Sequence, residues 1–170
     1  MVIWIIGLAG SGKTTVAREV VRRRKVRNPA TVLLDGDIVR EIMGGDLGHT
    51  LSDRERNGWR VCRLGRELER QGIDVVCAIL SLFPEQRAWN RQSLQGYREV
   101  YLDVPMSVLE ARDQKGLYSG ARTGTVRDVA GIDLPFEPPS APDLVIDNGI
   151  PREDFGDVAE RVLAAAFPDA

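Results

Sequence analysis

Five apolar residues, Val2 to Ile6, run without a break into Gly7-Leu8-Ala9-Gly10-Ser11-Gly12-Lys13-Thr14, and a helical pattern opens on Lys13. That spacing, G-x-x-x-x-G-K-[ST] between a buried strand and a helix, is the phosphate-cradling P-loop. Successive backbone N–H groups must point inward at phosphate oxygens, and a side chain at Gly10 or Gly12 would obstruct that approach. Lys13 is then set to neutralise the β and γ phosphates and the Thr14 hydroxyl to ligate Mg2+, while the positive end of the helix adds its own attraction for the anion. The expected ATP-binding residues of this turn are Gly7, Gly10, Ser11, Gly12, Lys13, Thr14 and Thr15.

Beyond the turn, apolar runs alternate with helical patterns. Thr31 to Leu34, Ile73 to Leu80, Val100 to Val104 and Leu144 to Ile146 join Val2 to Ile6 as five expected strands. Strands interleaved with helices imply an α/β P-loop NTPase fold, with a five-stranded parallel sheet covered by helices on both faces. Helices are expected over Lys13 to Arg24, Ile38 to Met43, Ser52 to Gln71 with Ser52 as N-cap, Pro84 to Leu94, Pro105 to Asp113 and Arg152 to Ala166. In the last of these, Phe155, Val158, Val162 and Ala166 form an apolar stripe that suits packing on the sheet. From Gln114 to Pro142 glycines and prolines crowd together among Lys115, Arg122 and Arg127, which reads as a basic lid loop over a phosphate site.

With 170 residues, 43% of them hydrophobic, the chain can bury one sizeable core, so a single kinase domain over 1–170 is expected. A net charge of -2 with both signs dispersed gives no general pull toward nucleic acid or anionic membrane, and any anion site must be local. The run Arg22, Arg23, Arg24, Lys25 falls where the first helix should end and complements its dipole. Cys62 and Cys77 are too few for a disulfide framework and read as reduced, unreactive thiols. The N-terminus carries neither a basic n-region nor a long apolar run, so a cytoplasmic setting is expected.

A phosphate-binding turn alone does not separate a kinase from a GTPase switch or a mechanical ATPase. The second strand ends in Asp35-Gly36-Asp37, which puts two carboxylates at the carboxyl edge of the sheet, where ligands bind in open α/β folds. One suits the magnesium shell and the other the proton of an incoming hydroxyl; Asp35 is taken as the metal residue beside Thr14, and Asp37 as catalytic with Lys13. Asp37 also precedes Ile38-Val39-Arg40 and could cap that helix.

GLAGSGKTT, LDGDIVR, SDRERN, EVYLDVP, RDQKGLY, GID and APDLVID occur in the order and spacing of the adenylylsulfate kinases, and the resemblance spans nearly the whole chain. It implies a P-loop enzyme, usually a homodimer, that phosphorylates the ribose 3'-hydroxyl of adenylyl sulfate with ATP and Mg2+. Carried over by motif, Asp37 resembles the catalytic base, and Arg40, Arg54, Asn57, Ser81 and Leu117 resemble acceptor contacts. Lys115 is similar to a lid residue over the acceptor, and Arg112 with Asp113 to the segment beside the ATP base.

The chain departs from that pattern on the acceptor side. The family clasps adenine between two phenylalanines, whose positions read His49 and Val129 here; its Asn-Ile-Arg-Arg is Asn57-Gly58-Trp59-Arg60, and its Ile-Ser-Pro is Leu80-Ser81-Leu82. At about 1 to 3 kcal/mol per lost stacking platform, adenine binding would weaken by roughly one to four orders of magnitude. Cytidine diphosphoramidate kinases resemble the same family, and His49 or Trp59 is then expected to meet a smaller pyrimidine. A catalytically silent nucleotide-binding regulatory module is the reading from another class, opposed by the retention of Lys13, Thr14, Asp35 and Asp37.

Overall fold

In the computed structural model, which describes residues 1–113 and 116–168, the five strands are β1 (Val2–Ile6), β2 (Thr31–Asp35), β3 (Asp74–Ile79), β4 (Tyr97–Asp103) and β5 (Leu144–Asp147). All neighbours pair in parallel in the order β2-β3-β1-β4-β5. The helices are α1 (Lys13–Arg27), α2 (Gly36–Ile42), α3 (Leu51–Arg70), α4 (Pro84–Ser93), α5 (Met106–Arg112), α6 (Leu117–Arg122) and α7 (Gly156–Ala166). Because β1 lies between β3 and β4, the turn after it sits at mid-sheet, where chain leaves toward β2 on one side and later returns to β4 on the other.

The period of two along β1 assigns its side chains to two cores. Ile3 and Ile5 pack with Val16, Ala17 and Val20 of α1 and with Val158, Ala159, Val162 and Ala166 of α7. Val2, Trp4 and Ile6 face the other way, against Val39 of α2 and Val61 and Cys62 of α3. The expected stripe of α7 is therefore its buried face, with Phe155 at the N-cap also against that core. A smaller cluster of Val104, Leu109, Tyr118 and Val129 anchors the segment after α5.

Several boundaries move for local reasons. The third helix is capped by Thr50, whose hydroxyl donates to Asp53 and accepts from the Asp53 amide, so Ser52 lies inside the first turn and is not the cap. α7 begins at Gly156 and not at Arg152, because Asp154 accepts from the Gly156 amide while Arg152 is held by Asp147 and Asn148 ahead of the helix. The expected loop from 114 to 142 contains α6, whose start is secured by Asp113 accepting from the amides of Tyr118 and Ser119. α1 continues to Arg27, and its basic run is largely paired: Arg22 and Arg23 with Glu19, Arg24 with Asp74. Both cysteines are buried and free, and desolvation raises both thiols, Cys62 to about 12. Among the described residues no helix is long and apolar enough to cross a membrane.

Candidate active site

The chain turns from β1 to α1 through two left-handed glycines, Gly10 at φ 75 and Gly12 at φ 91. A Cβ on Gly12 would stand 2.8 Å from Asn148 Nδ2, so the close approach of β5's end to the turn itself demands glycine. Asn148, 2% exposed, donates from Nδ2 to the Ser11 carbonyl at 2.7 Å. Gly7 faces the buried Ser11 hydroxyl and gives the turn its entry; Thr15 stands exposed on the first turn of α1. Lys13 curls back so that Nζ donates to the Leu8 carbonyl at 2.7 Å, and burial pushes its ammonium down to about 8 against the attraction of Asp35 and Asp37.

β2 ends beside this turn and delivers the paired carboxylates. Thr14 Oγ1 donates to Asp35 Oδ2 at 2.6 Å, while Asp35 Oδ1 accepts from the Asp37 amide at 3.0 Å. Asp35 is therefore the N-cap of α2, and Asp37, two residues further on inside the first turn, is not. Freed of that task, the Asp37 side chain is 74% exposed and receives Arg40 Nη1 at 2.8 Å.

One cavity of about 880 Å³ joins these groups. Lys13, Thr14, Asp35 and Asp37 line it near the turn, and Arg40, His49, Arg54, Asn57 and Ser81 line it toward α3 and the end of β3. Leu117, Val126 and Arg127 close it from the α6 side. Asn57, 3% exposed, donates to the Gly36 carbonyl at 2.8 Å and leaves its Oδ1 without a partner among the described residues. Arg54 bridges two loops, with Nε donating to His49 O at 2.8 Å and Nη2 to Asp128 O at 2.9 Å. Burial and then the neighbouring Arg40 lower its pKa, and burial followed by Arg40 and Arg54 does the same to the His49 imidazole.

Not every expected residue arrives as expected. Ser81 lines the cavity at a left-handed φ of 57, but its Oγ is taken by Trp4 Nε1 at 3.0 Å and its carbonyl by Arg87 at 2.8 Å. Val129 is 1% exposed and packed with Val104, Leu109 and Tyr118, so it presents no surface to the cavity. Trp59 leans edge-on against Trp89 with ring centroids 5.8 Å apart and also stays outside it. Arg112 lies on the far side of the turn, donating to Gly10 O at 3.5 Å and Asn148 O at 3.0 Å. Lys115 falls outside the described residues.

Other residues join that the sequence did not single out. Asn148 follows β5 at the same carboxyl edge as Asp35, and that position was its only signal. Tyr118 donates its hydroxyl to the Ala9 carbonyl at 2.7 Å and ties α6 to the turn. Gln86 and Phe83 also line the cavity.

Comparison with known proteins agrees with this geometry. The adenylylsulphate kinase family model matches residues 1–147. An adenylyl-sulfate kinase of Halothermothrix orenii is 42% identical over 161 residues, 95% of this chain and 86% of that one. The bifunctional enzyme NodQ of Azospirillum brasilense is 41% identical over 164 residues, but this chain spans only 26% of its length. The Mycobacterium tuberculosis APS kinase CysC, solved in complex with AMPPNP and APS, superposes with a TM-score of 0.84 at 33% identity over 96% of this chain and 95% of that one. With a P-loop, a carboxylate pair and a shared cavity in that fold, the chain belongs to the adenylylsulphate kinase family of ATP-dependent kinases.

Proposed function

We propose that this kinase transfers the γ-phosphoryl group of ATP to the ribose 3'-hydroxyl of adenylyl sulfate, giving 3'-phosphoadenylyl sulfate and ADP. The observation that carries the reading is the single cavity with Lys13, Thr14, Asp35 and Asp37 along one part and Arg40, Arg54 and Asn57 along another. The turn and Lys13 hold the phosphates, with Arg112 behind it toward the nucleoside. Arg40 and Arg54 offer planar forks to an anionic acceptor, and Asn57 offers an amide. Asp37 accepts the hydroxyl proton as the acceptor oxygen bonds to the γ phosphorus and the bond to the β–γ bridging oxygen breaks.

Thr14 Oγ1 and Asp35 Oδ2, 2.6 Å apart, are a hard-oxygen donor set that suits Mg2+, which needs few protein ligands beside phosphate and water. Among the described residues no group of three His, Cys, Asp or Glu side chains offers a more fully caged site. Held by Thr14 and Asp35, Mg2+ would supply charge neutralisation to the phosphates. The family resemblance carries a homodimer as the expected assembly, measurable by light scattering, and a cytoplasmic setting.

A second reading, a cytidine diphosphoramidate-type acceptor, is favoured by one observation. The cavity is lined by His49 and Phe83 but by no aromatic pair from positions 49 and 129, so a purine has no sandwich there. ADP release measured with adenylyl sulfate, cytidine diphosphoramidate or no acceptor separates the two. Saturable turnover with adenylyl sulfate at micromolar levels is expected, and Asp37→Asn should cut it about 100-fold or more while Mg-ATP still binds. Turnover with the cytidine compound alone would give the acceptor to the second reading. Nucleotide binding without turnover of either would leave only a regulatory module.

A further inference from the structure

We propose that Arg127 is a catalytic residue of this kinase, its guanidinium pairing with the oxygens of the transferring phosphoryl group. The inference rests on the phosphoryl-transfer reading above. Among the described residues four cations line the cavity: Lys13, Arg40, Arg54 and Arg127. The first is bonded to the Leu8 carbonyl, the second to Asp37, and the third to the carbonyls of His49 and Asp128. Among the described residues Arg127 makes neither hydrogen bond nor ion pair, whereas Arg122 of the same segment is tied to Glu110 Oε1 at 2.5 Å.

The backbone around Arg127 is held on both sides. Before it, the amides of Thr125 and Val126 return to the Gly120 carbonyl at 2.9 and 3.1 Å, and α6 itself is fastened to the P-loop by the Tyr118 hydroxyl. After it, Asp128 adopts a left-handed φ of 62, unusual for a residue with a Cβ. Asp133 accepts from the Asp128 amide at 2.8 Å and from the Val129 amide at 2.5 Å, Arg54 donates to the Asp128 carbonyl, and Val129 is plugged into the apolar cluster beneath. Strained backbone kept in place by this many contacts is characteristic of positions where geometry serves function. Here it presents an uncommitted cation to the cavity of Lys13 and Asp37.

During transfer the acceptor oxygen bonds to the γ phosphorus, its proton goes to Asp37, and the electrons of the breaking bond move to the bridging oxygen of departing ADP. Charge spread over the oxygens of the moving group is what a positioned arginine stabilises. Besides lining the acceptor side, Arg54 holds the Asp128 carbonyl and so links the acceptor wall on α3 to the arginine over the phosphates.

The test compares the full chain with Arg127→Ala, Arg127→Lys and Arg122→Ala, reading kcat and KM for both substrates, melting temperature, and the affinities of Mg-AMPPNP and Mg-ADP without acceptor. Arg127→Ala should lower kcat about 100-fold with acceptor KM within about threefold, and reduce the preference for AMPPNP over ADP about tenfold. Arg127→Lys should recover part of both, and Arg122→Ala should match the parent. A kcat within about threefold of the parent with the AMPPNP preference intact would overturn the proposal, as would a loss confined to acceptor KM. If the parent binds nucleotide yet turns over no acceptor, the reaction proposed above fails, and the AMPPNP-to-ADP ratio alone then decides on Arg127.

Discussion

Lys13 illustrates how a single residue couples the fold to the medium. Burial lowers its ammonium to about 8 in the free protein, and the phosphates of a bound nucleotide favour the charged form and raise it again. A group whose pKa rises on binding takes up protons, so Mg-ATP binding at pH 8 should consume about half a proton per site. Affinity should be greatest below about pH 8 and fall as the pH rises beyond it. Calorimetry in two buffers of different ionisation enthalpy measures the uptake, and Lys13→Met should abolish it. Gly58 is a steric counterpart. A Cβ there would stand only 2.2 Å from Gln86 Oε1, and Gln86 is 1% exposed with its Nε2 bonded to the Glu55 carbonyl at 2.9 Å. The side chain cannot yield without breaking that bond. Gly58→Ala should destabilise the protein by about 1 to 3 kcal/mol in denaturant titration. In the Gln86→Ala background the same substitution should cost much less.

At the scale of elements, α6 joins the P-loop, through Tyr118, to the cavity wall, through Leu117. Tyr118→Phe removes the hydroxyl that meets the Ala9 carbonyl and leaves that acceptor bare, at a cost of about 1 to 3 kcal/mol. Because the bond lies across the phosphate turn, ATP KM should rise severalfold in steady-state kinetics while acceptor KM moves less; equal changes in both would mean that the tie is only structural. This helix was illegible in the sequence, since Gly116, Gly120 and Gly124 read as loop chemistry and its first turn depends on the Asp113 carboxylate accepting from the amides of Tyr118 and Ser119. β1 and β3 were legible because each is a short run buried along its whole length, whereas β4, which runs from Tyr97 through Arg98 and Glu99, showed in the sequence only from Val100 onward. The P-loop turn was legible from its spacing as well, and so was the placement of Asp35 and Asp37 beside it at the carboxyl edge of the sheet. Side-chain direction is a different matter. Val129 and Trp59 stood at positions that a resemblance links to acceptor binding, yet their apolar surfaces found better burial in neighbouring clusters. Asn148 and Tyr118 reach the turn only through contacts across long stretches of chain, which no local pattern encodes.

At the scale of the whole molecule, carboxylates held below their usual range are spread from α1 to the segment after α6. Hydrogen bonds from Arg22 and Arg23 bring Glu19 on α1 down to about 2, and those from Arg60 lower Asp46 ahead of α3. The amide of Ser119 does the same for Asp113 at the entry to α6. At Asp74 on β3, burial acts in the opposite sense but is outweighed by Arg24, Asn28 and the N-terminal ammonium. Each of these groups binds fewer protons folded than unfolded, so each contributes stability that is complete above the ordinary carboxylate range and fades as pH falls through the lowered value. The window runs from about 4.5, the ordinary value for Glu19, down to about 2. Scanning calorimetry should therefore show the melting temperature steady near neutrality and falling steeply below pH 4.5. Since Glu19 and Asp46 lie near the surface and pair with arginines, 1 M salt should screen those partners and shrink the difference between pH 7 and pH 3. Asp74, enclosed between α1 and the sheet, should be spared most of that screening, so Asp74→Asn should flatten the residual acid sensitivity in high salt. A melting temperature unchanged between pH 7 and pH 3 would contradict the whole set, because it would require these pairings to contribute nothing to the folded state.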